Sequence, residues 1–357
     1  MEDKKVLSIQ NKCAGCGANL VFNPNYQDLF CEKCESHYKI VNDGQIELHD
    51  LNKSAKKDKD YEDFANQNKM FKCPNCGANV MLNQFEISKK CPYCEASLVI
   101  EENQFPGLKP DAVIPFQFDK EQAGNNFVKS VKKRFFVPKK FKKNIPTSEI
   151  NGIYIPAFGY SAKTTSIYNG ELYEEYEERD SDGNSTTHRS YFKVSGTHDA
   201  EFNDVMVESS SKITQAEING FLPYKTQGRQ SYLNQYILGY SVEHYNQTVE
   251  ECTPTYKSIV TKSIRSQILR KYHYDGVNYL NVSTEYKDEK YLYYLVPVYK
   301  FEYEYKKKKY ITYMNGQTGR VDSNVPKSGL KIALVILLPL LIVLIPLIIG
   351  LILGAGE

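Results

Sequence analysis

Alternating apolar and polar residues dominate the middle of this 357-residue chain. The alternation is clearest at residues 291–305 and predicts long antiparallel strands. Apolar residues at helical spacing predict a helix over residues 120–136, with Asp119 as its N-cap, and a second helix over residues 248–272. Helices set among antiparallel strands are typical of α+β proteins, so we predict a tyrosine-rich α+β domain at residues 111–326.

One pair of strands within that domain is expected to project as a hairpin. An acidic strand at residues 171–178 precedes the turn-forming residues 180–184, and a second strand returns through residues 191–194. Tyrosine is concentrated in this part of the chain, with 24 of the 28 tyrosines in residues 154–313. Aromatic ladders of this kind are usually packing, although an exposed tyrosine face would also suit a binding partner.

The pattern changes near the C-terminus to a continuous apolar run. Residues 332–355 contain no charged residue, and 20 of these 24 positions are hydrophobic. In a helix, 24 residues would be about 36 Å long, more than the roughly 30 Å of a bilayer's hydrocarbon. We therefore expect a single-pass, tail-anchored protein of the cell membrane. Lys327 and Lys331 before the span place the preceding domains in the cytoplasm.

Eight of the nine cysteines belong to a duplicated module. Each copy contains two CxxC pairs separated by 14 residues, and the copies start 60 residues apart. The cysteines are Cys13, Cys16, Cys31 and Cys34 in the first copy and Cys73, Cys76, Cys91 and Cys94 in the second. We predict zinc ribbons at residues 1–48 and 70–104, joined by a charged linker at residues 49–69. The ninth cysteine, Cys252, is expected to be a partly buried free thiol.

Four thiolates around one tetrahedral point suit a structural zinc ion, since they leave no coordination position open. Two Zn²⁺ ions are therefore expected, one in each ribbon. Disulfides are the alternative pairing, which a cytoplasmic chain disfavours, and a rubredoxin-like iron site is the alternative metal. Gly17 and Gly77 suit the turn after the second ligand, whereas Glu35 and Glu95 at the matching places should strain theirs. His37 is expected at the surface rather than at the metal.

Charge disfavours nucleic acid as the ribbons' partner. The chain has 45 basic and 43 acidic residues, a net charge of +2. Residues 1–110 have 14 basic and 16 acidic residues, a net charge of −2, and each tetrathiolate zinc site adds a formal −2. Zinc ribbons that bind DNA or RNA usually display a basic face, so protein contact is the favoured interpretation.

A strongly basic segment lies at the end of the first predicted helix. Residues 129–143 contain eight basic residues and no acidic residue, interleaved with Phe135, Phe136 and Phe141. The basic residues are Lys129, Lys132, Lys133, Arg134, Lys139, Lys140, Lys142 and Lys143. The segment is either a solvated helix end or a membrane-surface patch for anionic headgroups, with nucleic acid as a third interpretation.

The sequence contains none of the common catalytic motifs. GxxxxGK[ST], HExxH and GxSxG are absent, as is GxGxxG after a strand, and the six histidines have no Ser, Cys or Glu partner at motif spacing. We therefore expect no enzymatic activity and no small-molecule substrate. An active site or ligand pocket assembled from distant residues of the α+β domain is the remaining alternative.

The order of several motifs resembles a known family. They are the paired Lys-Cys-x-x-Cys-Gly-Ala motifs, Ile114-Pro-Phe116, Gly152-Ile-Tyr-Ile-Pro-Ala-Phe158, Phe221-Leu-Pro-Tyr224, Tyr236-Ile-Leu-Gly-Tyr240, Val296-Pro-Val298 and Asn315-Gly-Gln-Thr-Gly-Arg320. With the apolar run, they are similar to the bacterial membrane-anchored zinc-ribbon family that includes the YdjG-type proteins. Its members are often labelled as containing a transcription-factor-IIB-type zinc ribbon or as replication-restart-helicase-like. The resemblance implies zinc at the eight cysteines and, for YdjG-type members, a membrane-stress complex with SPFH-domain and phage-shock-type proteins.

The predicted fold is therefore multidomain. It comprises two tandem four-cysteine zinc ribbons, an α+β domain rich in antiparallel strands and one C-terminal transmembrane helix. The expected function is a tail-anchored membrane scaffold that recruits protein partners through its ribbons, with the lipid bilayer as a further partner. The alternative is a membrane-tethered zinc-ribbon protein that binds nucleic acid or regulates transcription.

Overall fold

The computed structural model of this protein describes residues 12–54, 69–73, 75–82, 86–94, 96–99, 107–179, 181, 183, 185–210, 213–337 and 344. The strands are β1 (Leu20–Asn23), β2 (Asp28–Cys31), β3 (His37–Tyr38), β4 (His49–Asp50), β5 (Lys69–Lys72), β6 (Asn79–Leu82), β7 (Glu86–Lys90), β8 (Ser97–Val99), β9 (Ala112–Val113), β10 (Ile150–Arg179), β11 (Ser185–Glu208), β12 (Gln230–Ser231), β13 (Ser241–Glu243), β14 (Gly276–Tyr305) and β15 (Lys308–Asn315). The helices are α1 (Leu51–Ser54), α2 (Lys120–Lys133), α3 (Lys139–Lys143), α4 (Gln215–Phe221) and α5 (Val249–Leu269), with 3-10 turns at Thr226–Gly228 and Asn234–Ile237.

The chain divides into two compact units, each formed from three segments. Unit 1 consists of Met1–Pro115, Ile153–Ile213 and Lys225–Pro297. Unit 2 consists of Phe116–Gly152, Thr214–Tyr224 and Val298–Glu357.

Unit 1 contains a large mixed sheet, in which the predicted antiparallel pairings are joined by two short parallel ones. Its strands follow the order β12-β9-β14-β10-β13-β7-β8, with β11 on β10 and β4 on β14. β9 pairs parallel with β14, and β13 pairs parallel with β10. The predicted hairpin is confirmed, because β10 ends at Arg179 and its antiparallel partner β11 begins at Ser185.

Aromatic side chains form much of the core of unit 1. The ring of Phe158 lies 5.5 Å from that of Tyr293, and Tyr160 stacks on Tyr256 of α5 at 4.5 Å. The Tyr160 hydroxyl donates a hydrogen bond to the Val249 carbonyl at 2.8 Å, which satisfies its polar atom inside the core. The interpretation of the aromatic ladders as packing is therefore confirmed for these rings.

Both ribbons pack against one segment of unit 1, residues 236–243. In the first ribbon, the Phe22 N–H donates to the Leu238 carbonyl at 3.0 Å, and the Leu238 side chain is buried in the ribbon's core. In the second, β7 pairs with β13, so that Ser88 lies opposite Val242. Each ribbon is too small to build a hydrophobic core from its own residues alone. The segment at residues 236–243 supplies additional packing and strand-pairing contacts.

Unit 2 is organised around α2 and the antiparallel pairing of residues 298–305 of β14 with β15. Asp119 caps α2 as predicted, since its carboxylate accepts a hydrogen bond from the Gln122 N–H at 2.8 Å. Phe127 of α2 stacks on Phe301 at 4.2 Å, and Phe141 of α3 is also buried. These contacts bury the apolar face of α2 that its periodicity predicted.

The Asn315-Gly-Gln-Thr-Gly319 motif is a structural turn in unit 2. The buried Asn315 side chain accepts hydrogen bonds from the N–H groups of Gln317 and Thr318, both at 2.9 Å, and donates to the Phe221 carbonyl at 3.1 Å. Gly319 has a φ of 73°, a left-handed conformation that glycine adopts without strain. The motif therefore holds α4 against the end of β15.

The predicted transmembrane helix at residues 332–355 is not found. The described part of this segment consists of residues 332–337, which belong to a helix at residues 329–337 about 13 Å long at 1.5 Å per residue, and of residue 344, which is also helical. Crossing a bilayer takes about 20 apolar residues, and no helix in the described part of the chain is long and apolar enough to do so. Residues 338–343 and 345–357 lie outside the described residues. On this finding, the single-pass membrane topology and the fold class that included it are wrong.

Candidate metal centres

The first four cysteines converge at one end of the β1-β2-β3 sheet. The sulfurs of Cys13 and Cys34 lie 3.4 Å apart, and those of Cys16 and Cys31 lie 3.5 Å apart. All four sulfurs are within 4.8 Å of one another. Metal–sulfur bonds of about 2.3 Å in a tetrahedral site require sulfurs about 3.8 Å apart, whereas a disulfide requires about 2 Å. The set can therefore hold one metal ion, and its cysteines form no disulfide.

The second set repeats this geometry in the other ribbon. The sulfurs of Cys73 and Cys94 lie 3.7 Å apart, and those of Cys76 and Cys91 lie 3.8 Å apart. In both sets the first and third cysteines are buried and the second and fourth are more exposed. Each metal position thus lies between a small core and the surface. Among the described residues, these two sets are the groups of side chains that could hold a metal ion.

The CxxC turns share one backbone arrangement. The N–H group of the first cysteine donates to the carbonyl five residues later, as from Cys13 to Ala18 at 2.8 Å. In a second hydrogen bond, the N–H group of the residue after the second cysteine donates to the carbonyl of the first cysteine, as from Gly17 to Cys13 at 2.8 Å. This residue takes the left-handed conformation, with a φ of 71° at Gly17, 75° at Gly77 and 59° at Glu35. The strain predicted at Glu35 is confirmed, and Glu95 lies outside the described residues.

Replacing Glu35 by glycine should stabilise the metal-loaded protein. An L-residue in this conformation costs about 1–2 kcal/mol, part of which is offset by glycine's greater freedom in the unfolded chain. We expect the free energy of unfolding of Glu35→Gly to rise by about 0.5–1 kcal/mol in urea titrations. The matched control is Gly17→Glu, which should lower the free energy of unfolding. No atom lies within 4 Å of a Cβ at Gly17, so this control tests the backbone conformation alone. Equal stabilities for all three proteins would contradict the assignment of strain.

Polar side chains beside the sulfurs favour the thiolate form that binds metals. The Tyr38 hydroxyl lies 3.1 Å from the Cys13 sulfur and lowers the pKa of that thiol to about 6. The Ser36 hydroxyl lies 3.2 Å from the Cys34 sulfur and lowers its pKa as well. In the second ribbon, the side chain of Asn75 is the main cause of a Cys94 pKa of about 6. Anionic sulfurs are the ligands that a divalent cation requires. The effect does not extend to every ligand, because burial and the neighbouring thiols raise the pKa of Cys16 and Cys76 to about 12.

Neither these polar neighbours nor the contribution of Leu238 to the ribbon core was predicted from the sequence. Ser36 and Tyr38 follow the last ligand of the first set, but no spacing rule identifies them as hydrogen-bond partners of sulfur. Leu238 lies about 200 residues along the chain from the ribbon whose core it joins. Its motif, Tyr236-Ile-Leu-Gly-Tyr240, was the available signal, because an apolar run beside glycine suits close packing.

Two residues that could be mistaken for ligands lie elsewhere. His37 is exposed, and its Nδ1 atom lies 2.8 Å from the Asp28 carboxylate, which confirms its predicted surface position. Cys252 is buried in α5 and outside both sets, and burial is the main cause of a thiol pKa of about 12. It is the free thiol that the sequence predicted, but it is fully rather than partly buried, and its raised pKa makes it unreactive.

The predicted basic patch belongs to unit 2 and is not part of the metal centres. Its lysines Lys129, Lys132, Lys133, Lys139, Lys140, Lys142 and Lys143 are exposed or half-buried. Arg134 has a different role, because its guanidinium donates to the Val321 carbonyl at 2.9 Å and burial lowers its pKa. All eight predicted cations are thus exposed or half-buried, but the guanidinium of Arg134 is engaged by the backbone of Val321.

Comparison with known proteins gives a relative but no established function. The chain is 30% identical over 229 residues to the uncharacterized protein YdjG of Bacillus subtilis (strain 168). The alignment covers 63% of this chain and 66% of the relative, just under two thirds of its length. No protein-family profile matches the chain, and no solved structure matches it. The two four-cysteine sets are compatible with the zinc ribbons of the family that the sequence resembles.

Proposed function

We propose that this protein is an adaptor whose two four-cysteine ribbons each hold one structural Zn²⁺ and that the first ribbon binds a protein partner. The observation that carries the proposal is an aromatic cluster on the outer side of the first ribbon, formed by Tyr26, Phe30 and His37. Tyr26 is 71% exposed, and its ring lies 5.0 Å from that of His37. Phe30 also packs against His37, at 4.8 Å.

The cluster is held in a fixed geometry, which suits recognition of a partner. Asp28 holds His37 through its carboxylate, and the pairing of β2 with β3 places Phe30 opposite His37. A tetrathiolate zinc site would fix the end of β2 and supplies a structural cross-link without an open coordination position. Rigid aromatic residues at the surface are enriched at the centres of protein interfaces because little conformational entropy is lost when they bind.

Charge supports a protein partner over nucleic acid for the ribbons. Residues 1–110 have two more acidic than basic residues, and two tetrathiolate zinc sites would add four negative charges. Nucleic-acid backbones are bound by basic surfaces, so the net negative charge of residues 1–110 disfavours the binding of DNA or RNA. The family resemblance makes SPFH-domain and phage-shock-type proteins of a membrane-stress complex the first candidate partners.

Removing the aromatic cluster should reduce partner binding without loss of metal. We expect the full chain carrying Tyr26→Ala and His37→Ala to retain two zinc ions and to bind its partner at least about tenfold more weakly. The measurement is quantitative affinity purification from the source cells, followed by titration with the purified candidate. Tyr279→Ala, which removes an exposed tyrosine from β14, is the control and should bind as the wild type does. Undiminished capture by the double variant would refute the assignment of this surface.

A further inference from the structure

A second exposed aromatic surface lies in unit 2, between α2 and α3. Phe135 is 63% exposed and Phe136 is 40% exposed, and their rings form an edge-to-face pair with centroids 5.3 Å apart. Phe141, only a few residues along the chain, is buried. The loop at residues 134–137 therefore presents two large apolar side chains to the solvent, an arrangement that usually marks a binding surface.

This loop is held by the C-terminal part of unit 2. The Ser328 N–H donates to the Phe136 carbonyl at 2.8 Å, and the Lys331 ammonium donates to the carbonyls of Phe135 and Val137 at 2.6 and 3.0 Å. The same contacts place the start of the helix at residues 329–337 beside the two phenylalanines. This helix exposes further large aliphatic side chains, at Leu330, Leu334, Val335, Ile336 and Leu337.

Cations accompany the apolar surface. Residues 129–143 contain no acidic residue, and seven of their lysines are exposed or half-buried. Lys132, Lys142 and Lys143 line a cavity of about 460 Å³ together with Val128, Ile145 and Pro146. The Lys142 ammonium reaches across this region to the Lys132 carbonyl at 2.7 Å. The cavity combines positive charge with an apolar lining, which suits a phosphate group attached to an apolar molecule.

We infer that this surface binds an anionic lipid surface, with Phe135 and Phe136 inserted among the acyl chains and the surrounding lysines at the headgroup phosphates. Apolar side chains next to a lysine cluster are the two features that peripheral lipid binding combines. Single-stranded nucleic acid stacks its bases on aromatic rings but gains nothing from exposed leucine and isoleucine, so it explains less of the surface. The inference requires no membrane-spanning helix and does not depend on the proposed adaptor function.

The absence of tryptophan from the chain allows a direct test of insertion. In the full-length protein, Phe135→Trp provides a single fluorophore at the proposed site. Its emission should shift to shorter wavelength with vesicles of phosphatidylcholine and phosphatidylglycerol, mixed at roughly two to one, and be quenched by brominated acyl chains. Tyr176→Trp, at an exposed tyrosine of β10, is the control and should show neither change. An unchanged Phe135→Trp spectrum with these vesicles would overturn the inference.

The charge requirement is tested by co-sedimentation with the same vesicles. Each lysine at an anionic surface changes the binding constant about fivefold, so Lys133→Gln, Lys139→Gln and Lys140→Gln together should weaken binding about 100-fold. The control is the triple Gln variant of Lys306, Lys307 and Lys309 at the β14–β15 turn. It removes the same charge and should lose much less of its binding to the vesicles. Equal losses from both triple variants would overturn the inference. Binding of duplex DNA or RNA in place of the vesicles would do so too, by identifying a nucleic-acid site.

Discussion

Replacing Cys31 by serine is expected to remove one of two metal ions and to unfold the first ribbon. The Cys31 sulfur is buried beside those of the other three cysteines of its set, and serine is a poor zinc ligand at neutral pH. Structural zinc contributes on the order of 10 kcal/mol to the folding of small zinc modules, far more than a ribbon of about 30 residues gains from its core. Metal analysis should therefore fall from two ions per chain to one.

The ninth cysteine provides the matched control for this experiment. Cys252→Ser makes the same chemical change at a buried position in α5 and should leave two metal ions bound. The second ribbon should be unaffected by Cys31→Ser, because its own four sulfurs form a separate set. Retention of two ions by Cys31→Ser, or the loss of an ion from Cys252→Ser, would contradict the assignment of the sites. The same metal analysis distinguishes zinc from iron.

Glu208→Gln is expected to remove much of the pH dependence of stability near neutrality. Glu208 is buried at the end of β11, where its carboxylate accepts a hydrogen bond from the Ser210 N–H at 2.6 Å. Burial is the main cause that raises its pKa from 4.5 to about 9, and the nearby charge of Glu243 raises it further. The thiol of Cys252 faces the Glu208 carbonyl from α5 at 3.8 Å.

The sign of the effect follows from proton binding. Between pH 4.5 and 9 the folded state keeps the Glu208 proton while the unfolded chain releases it, so stability is full below pH 4.5 and falls as the pH rises. The slope is about 1.4 kcal/mol per pH unit, which gives a loss of about 3 kcal/mol between about pH 5.5 and about pH 8. Glutamine keeps an oxygen for the Ser210 N–H but does not ionise, so the variant avoids this loss.

Urea unfolding at about pH 5.5 and about pH 8, both within the window between the two pKa values, measures the difference. The contribution of metal binding to pH dependence is common to both proteins and cancels when the variant is compared with the wild type. Glu174→Gln, at an exposed position of β10, is the control and should retain the wild-type dependence. If Glu208→Gln and wild type lose the same stability between these two pH values, Glu208 is ionised in the folded protein and the assignment fails.

The metal sites were the part of the protein most readily predicted from sequence. Two CxxC pairs about 15 residues apart can reach one point through a short hairpin, so local geometry decides the ligand set. The same locality explains why the N-cap Asp119, the hairpin turn after Arg179 and the left-handed Glu35 were predicted correctly. Each depends on a few neighbouring residues, whose preferences the sequence displays directly.

The predictions that failed concern lengths and partners of elements. Apolar content at residues 332–355 predicted a membrane span, but no helix among the described residues is long and apolar enough to cross a bilayer. Alternation at residues 291–305 correctly predicted the C-terminal part of β14 but not its parallel pairing with β9. The direction of pairing depends on crossover connections, which periodicity does not encode.

The sequence by itself therefore determined the eight candidate metal ligands, the turns around them and the aromatic, strand-rich character of the body. Only the tertiary structure decided that residues 236–243 complete both ribbons. It also decided that Arg134 donates to the Val321 carbonyl instead of joining the basic surface. Finally, it decided that Phe135 and Phe136 are exposed while Phe141 is buried. The physical reason is the range of the interactions. Metal coordination and turn conformation depend on residues close along the chain, whereas burial depends on segments that meet only after the whole chain has folded.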